Sequence, residues 1–326
     1  MSVKKITLKK IIKLPFKILL RIVNYCCSIV GYYLRIKGRH KFIDRKKDRS
    51  TVLLILAGYK PLIWDDIFAR VEKFAPSDID ICIISSGLYD EKLAGIAQKN
   101  NWSYLSTSRD NISLIENIAI RLHPKAELIY KMDEDIFLTR NVFEILKETY
   151  DKALNDSIYE PGFVAPLIPV NVYGHMRVLD KLNLLDTYQN IFGKTGYLPF
   201  QKLDIWRNPD AAKFFWREGG YVPSIDEMAM KFDDGSRNYT ACPIRFSVGC
   251  VMFTRKYWQN MGMFRVLPRG VGMTSEEIQM CNRSSCDSEA MIISENAVVG
   301  HLSFHPQFET MLDYYVNNRD KFMLHE

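Results

Sequence analysis

Short apolar segments alternate with amphipathic segments along the chain from residue 51 onward. The apolar segments are rich in β-branched residues and end at glycine, serine or acidic residues, which is typical of buried strands. The segments between them carry apolar residues three and four positions apart, which is typical of helices. The predicted strands are residues 51–57, 79–84, 102–105 and 128–132, and the predicted helices are residues 62–74, about 93–97 and 112–122. Strands alternating with helices predict a mostly parallel sheet with right-handed crossovers.

The second half of the chain has a less regular pattern. Apolar runs predict strands in residues 163–169, 246–253, 290–293 and 297–299, and the last run ends at Gly300-His301. Residues 256–261 predict a short helix that ends at Gly262, where a glycine C-cap is expected. Between residues 171 and 240 the chain is rich in aromatic side chains without a clear period.

The first 49 residues have a different character. They hold 15 Lys or Arg but only two Asp, a net charge of +13, so the remainder carries −7 of the chain's formal +6. Apolar residues in positions 11–23 form one helical face bordered by cations, and Pro15 would kink or delimit a helix there. Only 13 residues lie between Arg21 and Arg35, whereas a transmembrane helix needs about 20.

We therefore expect residues 1–49 to be a basic amphipathic segment on an anionic membrane leaflet, followed by a charged linker in residues 37–50. An uncleaved signal anchor, a basic arm for nucleic acid and a helix packed on its own domain are the alternatives. The folded domain would then span residues 50–326, with a first half in 50–140 and a second half in 141–326.

Composition narrows the class of protein. A chain of 326 residues with 47% apolar content can bury a large core and is not a disordered protein. Seven cysteines without C-x-x-C spacing argue against a zinc site or a disulfide framework and fit reduced thiols in a cytosolic setting.

Three adjacent carboxylates, Asp133, Glu134 and Asp135, follow the predicted strand 128–132. Such a group resists burial unless a cation or hydrogen-bond donors lie nearby. In an extended segment Asp133 and Asp135 would point the same way and could hold a divalent ion that also binds phosphate oxygens. The simpler interpretation is a solvated acidic turn.

Other polar groups follow the neighbouring predicted strands. Gly58-Tyr59 and Ser85-Ser86-Gly87 fall at strand ends, and ligands of parallel sheets bind at the carboxyl ends of strands. Farther along, Thr274 or Ser275 is a good N-cap with Glu276 and Glu277 in the first helical turn, a pattern that helix capping alone explains.

With these features in this order, residues 50–305 resemble nucleotide-sugar-dependent glycosyltransferases of the GT-A fold, especially bacterial family-2-type enzymes of surface polysaccharide synthesis. The resemblance rests on the β/α half, the D-x-D after an apolar strand, the segment VGCVMFTRKYWQNMG, the later acidic helix start and a C-terminal histidine. It implies a Rossmann-like α/β fold with a mostly parallel central sheet flanked by helices, extended at the N-terminus by a basic helix.

The resemblance also implies roles for particular residues. Asp133 and Asp135 would be the metal ligands for Mn or Mg, with His301 completing the site, and Glu277 or Glu276 would be the general base, Glu277 preferred. Nucleotide contacts are expected from Ala57, Gly58, Tyr59, Ser85, Ser86, Arg109, Asn117 and Asp133.

The donor is expected to be a nucleotide-diphosphate sugar, with UDP as the first expectation. Strand 79–84 ends at Ser85-Ser86-Gly87 where such enzymes commonly carry an acidic residue, so Arg109 and Asp110 are the alternative base or ribose contacts. Arg269 or Lys131 could touch phosphate, although both could equally be solvated charges.

The implied function is sugar transfer, with inversion, to a lipid-linked or surface polysaccharide acceptor at the cytoplasmic face of the membrane, and nucleic acid is not an expected partner. The aromatic region 171–240 is the expected acceptor side, because aromatic faces stack on sugars. A sugar-phosphate nucleotidyltransferase and a non-catalytic membrane-bound scaffold of the same fold are the alternatives.

Overall fold

The computed structural model describes residues 8–267 and 275–324. Its helices are α1 Leu8–Leu34, α2 Trp64–Phe74, α3 Glu91–Lys99, α4 Ile112–Leu122, α5 Val142–Asp156, α6 Gly174–Leu182, α7 Leu185–Phe192, α8 Asp204–Arg207, α9 Pro209–Phe215, α10 Ile225–Phe232, α11 Arg255–Asn260, α12 Ser275–Asp287 and α13 Phe308–Asn317. Its strands are β1 His40–Ile43, β2 Thr51–Leu56, β3 Asp80–Ser85, β4 Ser103–Thr107, β5 Leu128–Asp133, β6 Ile136–Phe137, β7 Glu160–Leu167, β8 Tyr239–Ala241, β9 Cys250–Thr254, β10 Glu289–Val298 and β11 Gly300–His301.

Within the described residues, nine strands form one sheet in the order β1-β4-β3-β2-β5-β9-β7-β10-β8. Strands β4, β3, β2 and β5 are mutually parallel, and β10 is parallel to β7. Strand β9 is antiparallel to both β5 and β7, so β7 and β10 run in the direction of β5. Helices pack on the sheet, and the class predicted from the sequence, a mixed α/β fold with a mostly parallel central sheet, is confirmed.

Burial explains why these segments became strands. The side chains of Val52, Leu53, Leu54 and Ile55 in β2 are all buried, as a central strand covered on both faces requires. Helices α3 and α4 begin where Asp90 and Asn111 accept hydrogen bonds from the backbone N–H groups of Leu93 and Leu114, both at 2.9 Å.

A separate pair of short strands ties the end of the chain to the middle. Strands β6 and β11 are antiparallel, with Gly300 opposite Phe137 and His301 opposite Ile136. A Cβ on Gly300 would lie 2.5 Å from a ring carbon of Trp216, so this close approach requires glycine. The pairing therefore brings His301 beside the turn that follows β5.

Several expectations about the elements were wrong. Residues 40–43 are not linker, because β1 pairs antiparallel with β4 and adds an edge to the sheet. The predicted strands 290–293 and 297–299 are one strand, β10, whose pairing with β7 is irregular between Ile293 and Val298. The strand predicted for 246–253 begins only at Cys250.

Helix α1 is a single helix of 27 residues that continues through Pro15. No helix within the described residues is long and apolar enough to cross a membrane. Large apolar side chains of α1 are exposed to solvent at 46–68% of their surface. They are Ile18, Leu19, Leu20, Ile22, Val23, Tyr25, Ile29, Val30, Tyr33 and Leu34. These side chains therefore do not pack on the domain, contrary to one alternative above.

The end of α1 is nevertheless fixed to the domain. The guanidinium of Arg35 donates to the backbone oxygen of Gly262, and the backbone oxygen of Arg35 accepts from Asn117 Nδ2 at 3.0 Å. The C-terminal end of α1 is thus held at a defined position by α4 and by the segment that follows α11.

Candidate active site

The three carboxylates lie at the end of β5 and in the tight turn between β5 and β6, at the carboxyl edge of the parallel strands. Glu134 and Asp135 are in the turn itself, so the alternation expected of an extended segment does not apply. The side chain of Asp133 keeps 32% of its surface exposed, whereas that of Asp135 keeps 1%. The two aspartates therefore differ in environment, Asp133 facing the solvent edge and Asp135 facing inward.

Glu134 holds the loop that follows β2. Its carboxylate accepts hydrogen bonds from the backbone N–H groups of Gly58, Tyr59 and Lys60 at 3.0–3.2 Å and from Trp64 Nε1 at 2.6 Å. Backbone N–H groups gathered in this way are typical of a phosphate site. Here the protein's own carboxylate occupies them, so the predicted contacts of Gly58 and Tyr59 with nucleotide cannot use these backbone donors.

Asp135 lies between an ammonium and an imidazole from distant parts of the chain. Lys60 Nζ forms an ion pair with Asp135 Oδ2, and His301 Nε2 lies 3.4 Å from the same oxygen. Against the opposing effect of burial, the charges of Lys60 and His301 hold the pKa of Asp135 well below its usual range. Asp135 is therefore ionised at neutral pH.

The orientation of His301 is set by its other nitrogen. Nδ1 lies 2.9 Å from the backbone oxygen of Val170, and the backbone N–H of Leu302 donates to the backbone oxygen of Asp135 at 3.1 Å. Trp216 Nε1 donates to the backbone oxygen of His301 at 3.1 Å. Nε2 is thereby directed at Asp135.

A buried lysine lies directly behind Asp133. Lys131 Nζ is 2.7 Å from Asp133 Oδ1 and donates to the backbone oxygen of Val248 at 3.1 Å. Lys131 is thus a buried residue of β5, and the expectation of a solvated or loop charge was wrong. The charge of Lys131 also acts on the buried Glu116. Burial raises the pKa of Glu116 well above its ordinary value, and the positive charge of Lys131 opposes this rise.

The two predicted base residues occupy the first turn of α12. Both are buried, and Glu277 forms an ion pair with Arg245. Burial raises the pKa of Glu276 to about 7, against the opposing charge of Lys131, and one of its oxygens has no hydrogen-bond partner. Thr274 and Arg269 lie outside the described residues.

The remaining predicted nucleotide contacts divide into two groups. Tyr59 has 58% of its surface exposed, and Arg109 lies at the same edge, where it donates to the backbone oxygen of Leu267 at 2.8 Å. Ala57, Ser85 and Ser86 are buried at the ends of β2 and β3. Ser86 Oγ donates to Asp110 at 3.0 Å, so the exposed Asp110 carboxylate does lie beside this strand end.

Asn117 is a correction. Its amide nitrogen donates to the backbone oxygens of Arg35 and Phe264, and its amide oxygen accepts from Trp258 Nε1 and the Phe264 N–H. The side chain is buried and its amide is fully hydrogen-bonded within the fold. It joins parts of the fold and does not contact the site.

Sequence reasoning missed Lys60 as a partner of Asp135 and Glu134 as the residue that fixes the loop. A signal existed for Glu134, because a carboxylate flanked by core segments requires donors. The identity of those donors depends on how β2 and β5 pair, which no local pattern contains.

Comparisons with known proteins add context. No family model matches the chain, and no curated protein matches it. Similar solved structures include the mannosyltransferase PcManGT from Pyrobaculum calidifontis in complex with GDP-Man and Mn2+, at 13% identity and a TM-score of 0.46, over 87% of this chain and 67% of that one. A mycobacterial protein is similar at 11% identity and a TM-score of 0.41, over 79% of this chain and 68% of its own.

S. aureus TarS, residues 1–349, is similar at 6% identity and a TM-score of 0.43, over 82% of this chain and 66% of that one. Because the identities are 6–13% and the TM-scores lie below 0.5, the activity has to be argued from the residues themselves.

The hydrogen bonds of Glu134 predict a measurable contribution to stability. Glu134→Ala leaves four donors of the 58–64 region without their acceptor, so the free energy of unfolding should fall by about 3 kcal/mol in urea titrations. Glu72→Ala, which removes an exposed carboxylate paired with Lys99, is the matched control and should change it by less than about 1 kcal/mol. Equal effects of the two substitutions would show that Glu134 does not hold the loop.

Proposed function

We propose that this protein is a metal-dependent, inverting glycosyltransferase that moves a sugar from a nucleoside-diphosphate donor to a lipid-linked or surface polysaccharide acceptor. One observation supports it most: Asp135 and His301, 166 positions apart, meet at 3.4 Å beside Asp133 at the carboxyl edge of the parallel strands. Edges of this kind bind nucleotides in α/β proteins. Uridine is the expected base of the donor.

The donor set is compatible with Mn or Mg. Among residues 8–267 and 275–324, no group of three or more His, Cys, Asp or Glu side chains is arranged as a complete metal site. Mg typically needs only one or two carboxylates, because water and substrate phosphates supply the other ligands. Asp135 and His301, with Asp133 at the exposed edge, would hold the ion, which would neutralise charge on the departing diphosphate.

The first prediction concerns Asp135. Asp135→Asn keeps the shape but removes the charge that faces Lys60 and His301, so Mn2+ affinity measured by calorimetry should fall at least tenfold and transfer roughly 10²-fold or more. Asp151→Asn, at a surface ion pair with Lys147 of 2.7 Å, is the matched control. The metal role is wrong if Asp135→Asn transfers sugar at the normal rate, or if the wild type is fully active in excess EDTA.

Glu277 is proposed as the general base that accepts the proton of the acceptor hydroxyl. A base must be ionised and within hydrogen-bond reach of the hydroxyl. Burial raises the pKa of Glu277, while Arg245 opposes this effect and favours the ionised form. Within the described part of the chain, Glu276 has no such ion-pair partner. Its pKa of about 7 leaves it partly protonated at neutral pH.

Kinetics should distinguish the two glutamates. Glu277→Gln should lower kcat by roughly 10²-fold or more with little change in donor affinity, whereas Glu309→Gln on the exposed surface should have no effect. If Glu276 were the base, the rate would rise with pH through about 7 as its proton is lost, and Glu276→Gln would remove that rise. Full activity of both variants would contradict an acidic base on α12.

The exposed apolar side chains of α1, together with the +13 charge of residues 1–49, support a location on the inner face of the cytoplasmic membrane. Apolar insertion and attraction of cations to anionic lipid, about 1 kcal/mol per well-placed cation, would add together. The acceptor would then be reached at the lipid surface.

Deleting residues 1–34 tests this location, because the deletion ends before Arg35 and before β1. The full chain should co-sediment with anionic vesicles, less so at high salt, and the truncated chain should not. The truncated chain should still hydrolyse its donor. Equal sedimentation of both chains would refute the membrane contact, and loss of folding would show that α1 supports its own domain.

A further inference from the structure

The positive charge of Lys60 lies against Asp135, the carboxylate that is proposed to bind the metal. Its ammonium forms an ion pair with Asp135 Oδ2, the oxygen that also faces His301. The side chain keeps 26% of its surface exposed, and Nζ lies 5.2 Å from the centre of the Phe308 ring. The Lys60 side chain is therefore only partly buried.

The position of this ammonium follows from the fold. Glu134 binds the backbone N–H groups of residues 58–60, with the Lys60 N–H at 3.1 Å, so the loop is anchored to the same turn that carries Asp135. Only the side chain of Lys60 is left to move, and it has four rotatable methylene groups with which to do so.

We propose that Lys60 is the resident counter-ion of Asp135, which a divalent cation must displace, and that the displaced ammonium then binds the diphosphate of the donor. The inference rests on the proposed function and adds a role for a residue to it. Its consequence is cooperative binding of metal and nucleotide.

The metal and the Lys60 ammonium compete for the same carboxylate, and the diphosphate gives the displaced ammonium a new anionic partner. A divalent ion and an ammonium cannot share one carboxylate oxygen without strong repulsion, so a metal that binds alone must break the ion pair of a partly buried lysine. A diphosphate offers that lysine a new anionic partner and offers the metal further oxygen ligands. Binding of the metal therefore strengthens binding of the nucleoside diphosphate, and thermodynamic linkage requires the reverse effect to be equally large.

The experiment measures Mn2+ affinity by calorimetry and by electron paramagnetic resonance, alone and with UDP, GDP, CDP or ADP. It compares the wild type with Lys60→Met, which keeps the length of the side chain without its charge, and Lys60→Arg, which keeps the charge. Lys99→Met is the matched control, because Lys99 also forms an ion pair, but with Glu72 on the exposed surface and not with a carboxylate of the site. Thermal unfolding checks that each variant is folded.

In the wild type, the nucleoside diphosphate that binds should tighten Mn2+ binding by about tenfold or more. In Lys60→Met, Mn2+ alone should bind about tenfold more tightly than to the wild type, and the tightening by nucleotide should shrink several-fold, to the part that direct coordination of the metal by phosphate oxygens supplies. Lys60→Arg should restore most of the coupling, and Lys99→Met should behave as the wild type.

Unchanged Mn2+ affinity and unchanged coupling in Lys60→Met would overturn the inference while leaving the proposed function in place. The wild type alone also tests it, since the absence of any coupling between Mn2+ and nucleotide would overturn it even if Lys60→Met did not fold. A wild type that binds neither Mn2+ nor any of the nucleotides would instead refute the proposed function.

Discussion

The carboxylate of Glu134 is the contact on which the arrangement of the candidate site depends. A buried carboxylate is costly unless donors surround it, and this one receives the backbone N–H groups of residues 58–60 and the indole of Trp64. These bonds join the loop after β2 to the turn after β5, the two central parallel strands. Lys60 and Asp135 meet because that connection exists, and the pairing of β6 with β11 then adds His301.

Behind Asp133, a single buried lysine faces several carboxylates. Asp133 has an ion pair with the buried Lys131, and the charges of Glu116 and Glu276 also act on this lysine. One ammonium cannot balance the part-exposed Asp133 and two buried glutamates, so burial raises the pKa of Glu116 well above normal and that of Glu276 to about 7. The raised pKa of each glutamate favours its protonated form, which lowers the net buried charge. The first turn of α12 is therefore linked electrostatically to the aspartate at the sheet edge.

The local pattern of the sequence predicted the elements that local physics determines. Strand β2 and helix α4 were predicted almost to the residue, because a fully apolar run and a capped amphipathic run each have one good solution. Strand β1 was missed because HKFI is short and charged, and its pairing with β4 is a long-range contact. For the site, the positions of Asp133, Asp135 and His301 along the sequence indicated where to look. The roles of Lys60 and Asn117 depended on partners that only the fold brings together.

The hydrogen bonds of Asn117 connect the end of α1 with the segment that leads to α12. Its amide bonds the backbone of Arg35, where α1 ends, and the backbone of Phe264, which follows α11. Arg35 itself donates to Gly262, and Arg109 donates to Leu267, so residues 262–267 are held from both sides. This segment leads toward α12, the helix that carries Glu276 and Glu277, and Gln279 of that helix donates to the backbone oxygen of Met263 at 2.8 Å. The same few hydrogen bonds that fix the end of the exposed apolar helix therefore also fix the first turn of α12, which carries the proposed base.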